Sequence, residues 1–207
     1  MESEKYKGYE IKISQDECAE NPREAWDNLG VMVCFHNRYN LGDQNHGLNK
    51  DGFNSWNELE DYIKKEYDPA VILPMYMYDH GIQRVKVGSF QGLLPQGHAE
   101  FDSGMIGFIY VSKEKVRKEY SVKKISKKLR ERVAGYLESE VKVYDWWMSG
   151  QVYGYQVEAE GIDESCWGFY GSDHENSGLM GEAKAAIDYH IKESEKAEAF
   201  YNAIFAV

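Results

Sequence analysis

Six histidines, and the carboxylates beside them, are the residues of this chain best suited to chemistry. Imidazole titrates near neutral pH and ligates metals, and a neighbouring carboxylate can orient it or share an ion. Asp79-His80 stands just before Gly81 at the centre of a hairpin pattern. Adjacent side chains on a strand point to opposite faces, so the two can share an ion only if the turn bends them together. Turn chemistry supplied by Asp and Gly is the plainer reading. His36, Asp43 and His46 fall at a strand end and in the loop after it, where scaffolds carry sites. They form the alternative metal set, although no HxxxH pair places two imidazoles on one helix face. His174 and His190, near or on the last helix, are expected at the surface.

Asp102-Ser103-Gly104 loosely resembles a nucleophile turn. A nucleophile elbow needs GxSxG between a strand and a helix, whereas this serine precedes a strand. Asp102 and Ser103 are expected to satisfy backbone N–H groups at the turn. Gly107 is expected to let another backbone or a ligand approach its strand. No P-loop, GxGxxG or EF-hand loop occurs, and no cofactor is expected. If the chain is catalytic, His36, Asp79, His80 and Asp102 are the set to carry it. Cys18, Cys34 and Cys166 are widely spaced and form no CxxC. Cys34 and Cys166 lie in apolar runs and are expected as buried thiols of a reducing compartment.

The elements that must position these groups follow from periodicity. Strands are expected over "KGYEIKIS", Leu29–His36, two segments around Asp79-His80-Gly81, "MIGFIYVS", and a hairpin around Glu160-Gly161. "NPREAWDN" reads as a turn or short helix start, residues 37–54 as loop, and "FQGLLPQGHAEFDSG" as irregular. Ser55 with Glu58 forms a capping box before a helix whose Trp56, Leu59, Tyr62 and Ile63 share one side. Ser112 caps a short helix from Lys113. A longer helix follows up to Gly150, which Ser126 is not expected to interrupt, and a last one runs from Leu179 to Ile204. Antiparallel hairpins with long helices late in the chain predict an α+β fold: one antiparallel sheet with two or three long helices packed on it, in a single domain over 1–207.

The net charge of −11 hides an asymmetry. Residues 113–132 hold ten Lys or Arg against three Glu, and the rest holds 14 basic and 32 acidic residues. Such a stripe can bind phosphates or an acidic partner, or be a solvated helix face. Tyr120 is the single aromatic residue within it, not the aromatic interleaving that a base-stacking platform would require. Neither an apolar signal region nor a run long enough to span a membrane is visible, so a cytoplasmic protein is expected.

"WDNLGVMVCFHNRYNLGD" (26–43), "YMYDHG" (76–81), "FDSGMIGFIYVSKEKVRKEY" (101–120) and "SCWGFYG" (165–171) together resemble a family of uncharacterised proteins encoded by bacteriophages, prophages and bacterial mobile elements. The resemblance spans most of the chain in the same order. In that family the stretch between the second and third motifs is Ser/Thr-rich, with a Cys-x-Trp before Asp-Ser-Gly. Here it is "IQRVKVGSFQGLLPQGHAEF", so no role tied to that stretch carries over.

What the resemblance implies is a setting and not a mechanism. With the acidic charge and the missing enzyme motifs, that setting leads to the expectation of a non-catalytic accessory protein in the host bacterial cytoplasm that binds a host protein, as a counter to antiviral defence. Its expected contact residues are Arg38, Tyr39, Asp43, Asp102, Ser103, Trp167 and Tyr170. Two readings compete. One is a small metal-dependent hydrolase or nuclease that gathers His36, Asp43, Asp79, His80 and Asp102 at one end of the sheet. The other is a nucleic-acid binder using the basic patch Lys123, Lys124, Lys127, Lys128 and Arg130.

Overall fold

The structure, a computed structural model, describes residues 2–94, 97–159 and 161–205. The chain divides into two compact units, one of residues 1–20 and 150–207, the other of residues 21–149. Each holds one four-stranded antiparallel sheet, so the α+β architecture of hairpins under long helices is present, with the hairpins shared between two sheets. The sequence charge divides just as sharply. Residues 21–149 carry 18 basic and 18 acidic residues, while the other unit carries 6 and 17 and holds the whole negative balance.

In the unit of residues 21–149, β1 (Glu2–Tyr6) and β2 (Tyr9–Gln15) have already passed in the other unit. It opens with α1 (Pro22–Ala25), where Pro sits in the first turn and the Asn21 side chain accepts from the Arg23 amide. Its sheet takes the order β3 (Val31–Cys34), β6 (Ser103–Ser112), β4 (Pro69–His80), β5 (Ile82–Val87). β6 is therefore central, and six consecutive residues, Ile106–Val111, are buried. That near-continuous apolar run is what a strand covered on both faces requires.

One face of the sheet packs on α5 (Lys127–Met148) through Met32, Met75, Met77, Val85 and Ile109 against Val133, Leu137, Val141 and Tyr144. The opposite face packs Val33, Phe108 and Tyr110 on Leu59 and Ile63 of α2 (Trp56–Tyr67). Ser55 caps α2 by accepting from the Glu58 amide at 3.2 Å, and the Glu58 carboxylate reaches back to the Asn54 amide at 2.8 Å. The β4–β6 register shifts at Met75/Tyr76, opposite Gly107. A Cβ on Gly107 would stand 1.9 Å from the Val33 carbonyl oxygen, so this position takes no side chain, and backbone approaches it as expected.

Two boundaries differ from the sequence expectation. Ser126 is the N-cap of α5, accepting from the Leu129 amide at 3.2 Å, so the long helix after α4 (Lys113–Glu119) begins at Lys127 instead of running through Ser126. A helix start is where a serine hydroxyl finds an unpaired amide. The stretch 98–101, expected to be irregular, forms the one-turn helix α3 (His98–Phe101).

In the other unit the strand order is β1-β2-β7-β8, with β7 (Val152–Ala159) and β8 (Ile162–Tyr170) paired antiparallel. The hairpin expected around Glu160-Gly161 is there, though Glu160 itself lies outside the described residues. One face is buried by the first half of α6 (Leu179–Phe205): Leu179, Met180, Ala183 and Ile187 cover Ile11, Ile13, Tyr155 and Val157. β1 was not expected, because "ESEKY" carries no apolar alternation; its residues are exposed along an edge. His174, expected at the surface, is mostly covered and meets the Tyr153 ring edge-on at 4.8 Å. No described helix is long and apolar enough to cross a membrane.

Candidate functional site

A cleft of about 520 Å³ opens in the unit of residues 21–149 beside α5. Trp26, Tyr120, Arg132 and Tyr136 line it together with the carboxylates of Asp27 and Glu119. One wall is the segment 22–30, fixed by the buried Arg23 and the half-buried Asn28. The Arg23 side chain, 1% exposed, donates to both oxygens of Asp43 at 2.6 and 2.9 Å, to Glu140 of α5 at 2.9 Å and to the Gly30 carbonyl at 2.8 Å. Burial works to lower the Arg23 pKa, but Asp43 and Glu140 outweigh it and raise it. Glu140 in turn accepts from the Leu29 amide at 2.7 Å. Asn28 folds the segment back by donating to the Pro22 and Trp26 carbonyls at 2.8 and 2.9 Å, and Lys115 donates to the Asn28 carbonyl at 2.7 Å.

The wall thus holds the Trp26 ring at the surface, 45% exposed. Across the cleft the Arg132 guanidinium carbon lies 5.6 Å from the ring centres of both Tyr120 and Tyr136. Its Nη2 also donates to the Tyr136 hydroxyl at 3.1 Å. A guanidinium in contact with two aromatic rings and one hydroxyl is partly held in place, and its remaining N–H groups are free to meet a carboxylate. The connector and helix start between Tyr120 and Arg132 contain Lys123, Lys124, Lys127, Lys128 and Arg130, all exposed. Of the basic stripe, Glu119, Tyr120 and Arg132 line the cleft, and Trp26 and Tyr136 join them from outside the stripe.

The other sequence candidates separate. Asp79 and His80 face opposite sides of β4, as strand geometry demands. Asp79 joins a cluster with Arg38 at 3.1 Å, Gln83 at 3.1 Å and the Tyr39 hydroxyl at 3.5 Å, and His36 stacks on Tyr39 at 5.0 Å between ring centres. Asp43 is committed to Arg23 and to the Met32 amide at 3.0 Å. His46 accepts from the Leu48 amide at 3.0 Å, and burial lowers its pKa, as it lowers that of His36. His36, Asp43 and His46 do not come together as an ion-binding group, and the five-residue hydrolytic set is not assembled among the described residues.

His80 instead approaches Asp102, Nδ1 to Oδ2 at 3.1 Å. Asp102 and Ser103 were expected to serve turn amides. The Ser103 hydroxyl instead donates to the Ala99 carbonyl, because one turn of helix brings that oxygen under it. Cys34 is buried and its thiol pushed up to about 12 by burial, Cys166 is half-buried, and Cys18 is exposed. In the other unit, the Tyr170 hydroxyl donates to the Glu20 carbonyl at 2.7 Å. The Trp167 ring covers Gly154, where an added Cβ would lie 2.3 Å from it.

The cleft residues escaped the sequence reading because Trp26, Tyr120 and Tyr136 are far apart in the chain. The readable signal was Arg132 and Tyr136 at i, i+4, a spacing that pairs side chains on a helix face. No known protein family, curated protein or solved structure matches the chain.

Proposed function

We propose that the protein is a non-catalytic binding protein whose cleft takes a segment of an acidic protein partner. The observation that carries this reading is the exposed Trp26 and Tyr136 facing an aromatically stacked Arg132. Trp, Tyr and Arg are the side chains that dominate interface energies. From Arg117 to Arg132 the chain carries eight Lys or Arg against two Glu, which steers a partner of opposite sign. An apolar side chain of the partner fills the cleft while its carboxylates meet the basic connector.

Nucleic acid is the weaker fit. One face of Tyr120 and one of Tyr136 are already covered by Arg132, which removes stacking surface for bases. A nuclease built on Asp102 is also poorly served, because the basic segment starts at the far end of β6, about 30 Å along the strand from Ser103. The phage or mobile-element setting suggested by the sequence motifs makes a host protein the natural partner, with a defence factor as one such protein.

Selection from a random peptide display library tests this reading. Peptides that carry Asp or Glu around an aromatic or aliphatic residue should be enriched, and Trp26→Ala with Tyr136→Ala should abolish their capture. Enrichment of basic peptides, or capture indifferent to both substitutions, would contradict it.

A further inference from the structure

His80, His98 and Asp102 form the one group of ion-binding side chains that converges among the described residues. They come from two places in the chain. His80 ends β4, His98 opens α3, and Asp102 follows α3 directly. The backbone locks these pieces together: the Asp79 amide donates to the Asp102 carbonyl at 2.9 Å, and the Asp102 amide to the His98 carbonyl at 3.0 Å. One potential ligand atom from each of the three lies within 4.8 Å of the others.

The two imidazole-to-carboxylate separations are compatible with a metal site. Zinc–nitrogen and zinc–oxygen bonds of about 2.0–2.1 Å at tetrahedral angles put neighbouring ligand atoms about 3.3 Å apart. His80 Nδ1 stands 3.1 Å and His98 Nδ1 3.6 Å from the same Asp102 oxygen. A hydrogen bond from His80 alone would account for the first distance. One helical turn separates His98 from Asp102 and brings its nitrogen to that same oxygen, while His80 arrives from the end of β4, and the two rings meet edge to face at 5.4 Å. All three side chains keep solvent access, His80 at 60% and Asp102 at 27%, so an ion can enter and retain water.

We propose that His80, His98 and Asp102 bind a zinc-class divalent transition-metal ion. Two imidazoles and one carboxylate are the donor set that Zn²⁺ and its neighbours take, with further positions left to water. The bound ion ties α3 to the end of the β4–β5 hairpin. This site is separate from the aromatic cleft and stands whether or not that cleft binds a partner.

Equilibrium dialysis and calorimetry of the metal-free full chain with Zn²⁺, and visible spectroscopy with Co²⁺, test the site. One ion per chain should bind, with Co²⁺ giving the intense bands of low-symmetry coordination. His80→Gln, His98→Gln and Asp102→Asn should each weaken binding by at least about tenfold, the scale seen even for groups that merely support a ligand. His36→Gln and Cys18→Ser should leave it unchanged. Zn²⁺ should also slow amide exchange at 98–102 in the native chain and not in His98→Gln. Absence of stoichiometric binding would overturn the assignment, and so would binding that survives the three substitutions or is lost with His36 or Cys18. All three ligands are exposed or half-buried, so the variants stay folded, which circular dichroism verifies.

Discussion

Arg23 and Glu140 meet across 117 residues of chain, with Nη1 2.9 Å from Oε2. The contact joins the wall that displays Trp26 to the helix that displays Arg132 and Tyr136. The guanidinium is buried, and the carboxylates of Asp43 and Glu140 are 19% and 17% exposed. Removing one partner of such a group leaves the others charged and poorly hydrated, at a cost of about 3–5 kcal/mol. Arg23→Leu should lose that much in urea denaturation of the unit of residues 21–149. A loss below about 1 kcal/mol would show that the triad is not what holds the wall.

Gly107 is fixed by close approach of backbone, and Gly104 on the same strand has nothing within 4 Å of its Cβ position. Gly107→Ala forces the central strand away from β3 and should cost about 3 kcal/mol, the upper range of overpacking. Gly104→Ala should be neutral within roughly 0.5 kcal/mol. Equal effects in a denaturant titration would contradict the packing described for β6.

His46 gives the loop a defined response to acid. Its folded-state pKa is lowered, first by burial, with Asp43 pulling the other way. Its Nδ1 also accepts the Leu48 amide, which a protonated ring could not do. The unfolded chain therefore binds the proton more readily, and the stabilisation is complete above the ordinary histidine value of about 6.5 and lost as pH falls below it. Protection of the Leu48 amide, corrected for intrinsic exchange, should drop between pH 7 and 5. His46→Asn retains an acceptor without a titrating proton and should flatten that profile. An unchanged profile in the variant would place the acid response elsewhere.

The local grammar of the chain was readable and its long-range assembly was not. Ser55, Ser112 and Gly150 mark helix ends as their chemistry requires, and "MIGFIYVS" is buried as an apolar run of that length should be. Periodicity cannot say which sheet a hairpin joins, so the division into two sheets was invisible. His98 is four residues before Asp102, a spacing that one helical turn makes a contact, but the turn was hidden in a stretch punctuated by Gly92, Pro95 and Gly97. Asp43 looked like a loop ligand because nothing local announces its partner Arg23, twenty residues earlier. The cleft depends on Trp26 and Tyr136 coming together across four intervening strands, which no window of sequence contains.

Calorimetric titration with three probes puts the central claim to its hardest test. The probes are a twelve-residue peptide of Asp and Glu around a Phe-Leu pair, its Lys-substituted counterpart, and a twelve-nucleotide oligothymidylate. The acidic peptide should bind, weaken as salt rises, and lose at least about tenfold in affinity in Arg132→Ala and in Trp26→Ala, the scale of an interface anchor. Binding of the oligonucleotide or the Lys peptide in preference to the acidic one, or acidic-peptide binding that ignores both substitutions, would contradict the account.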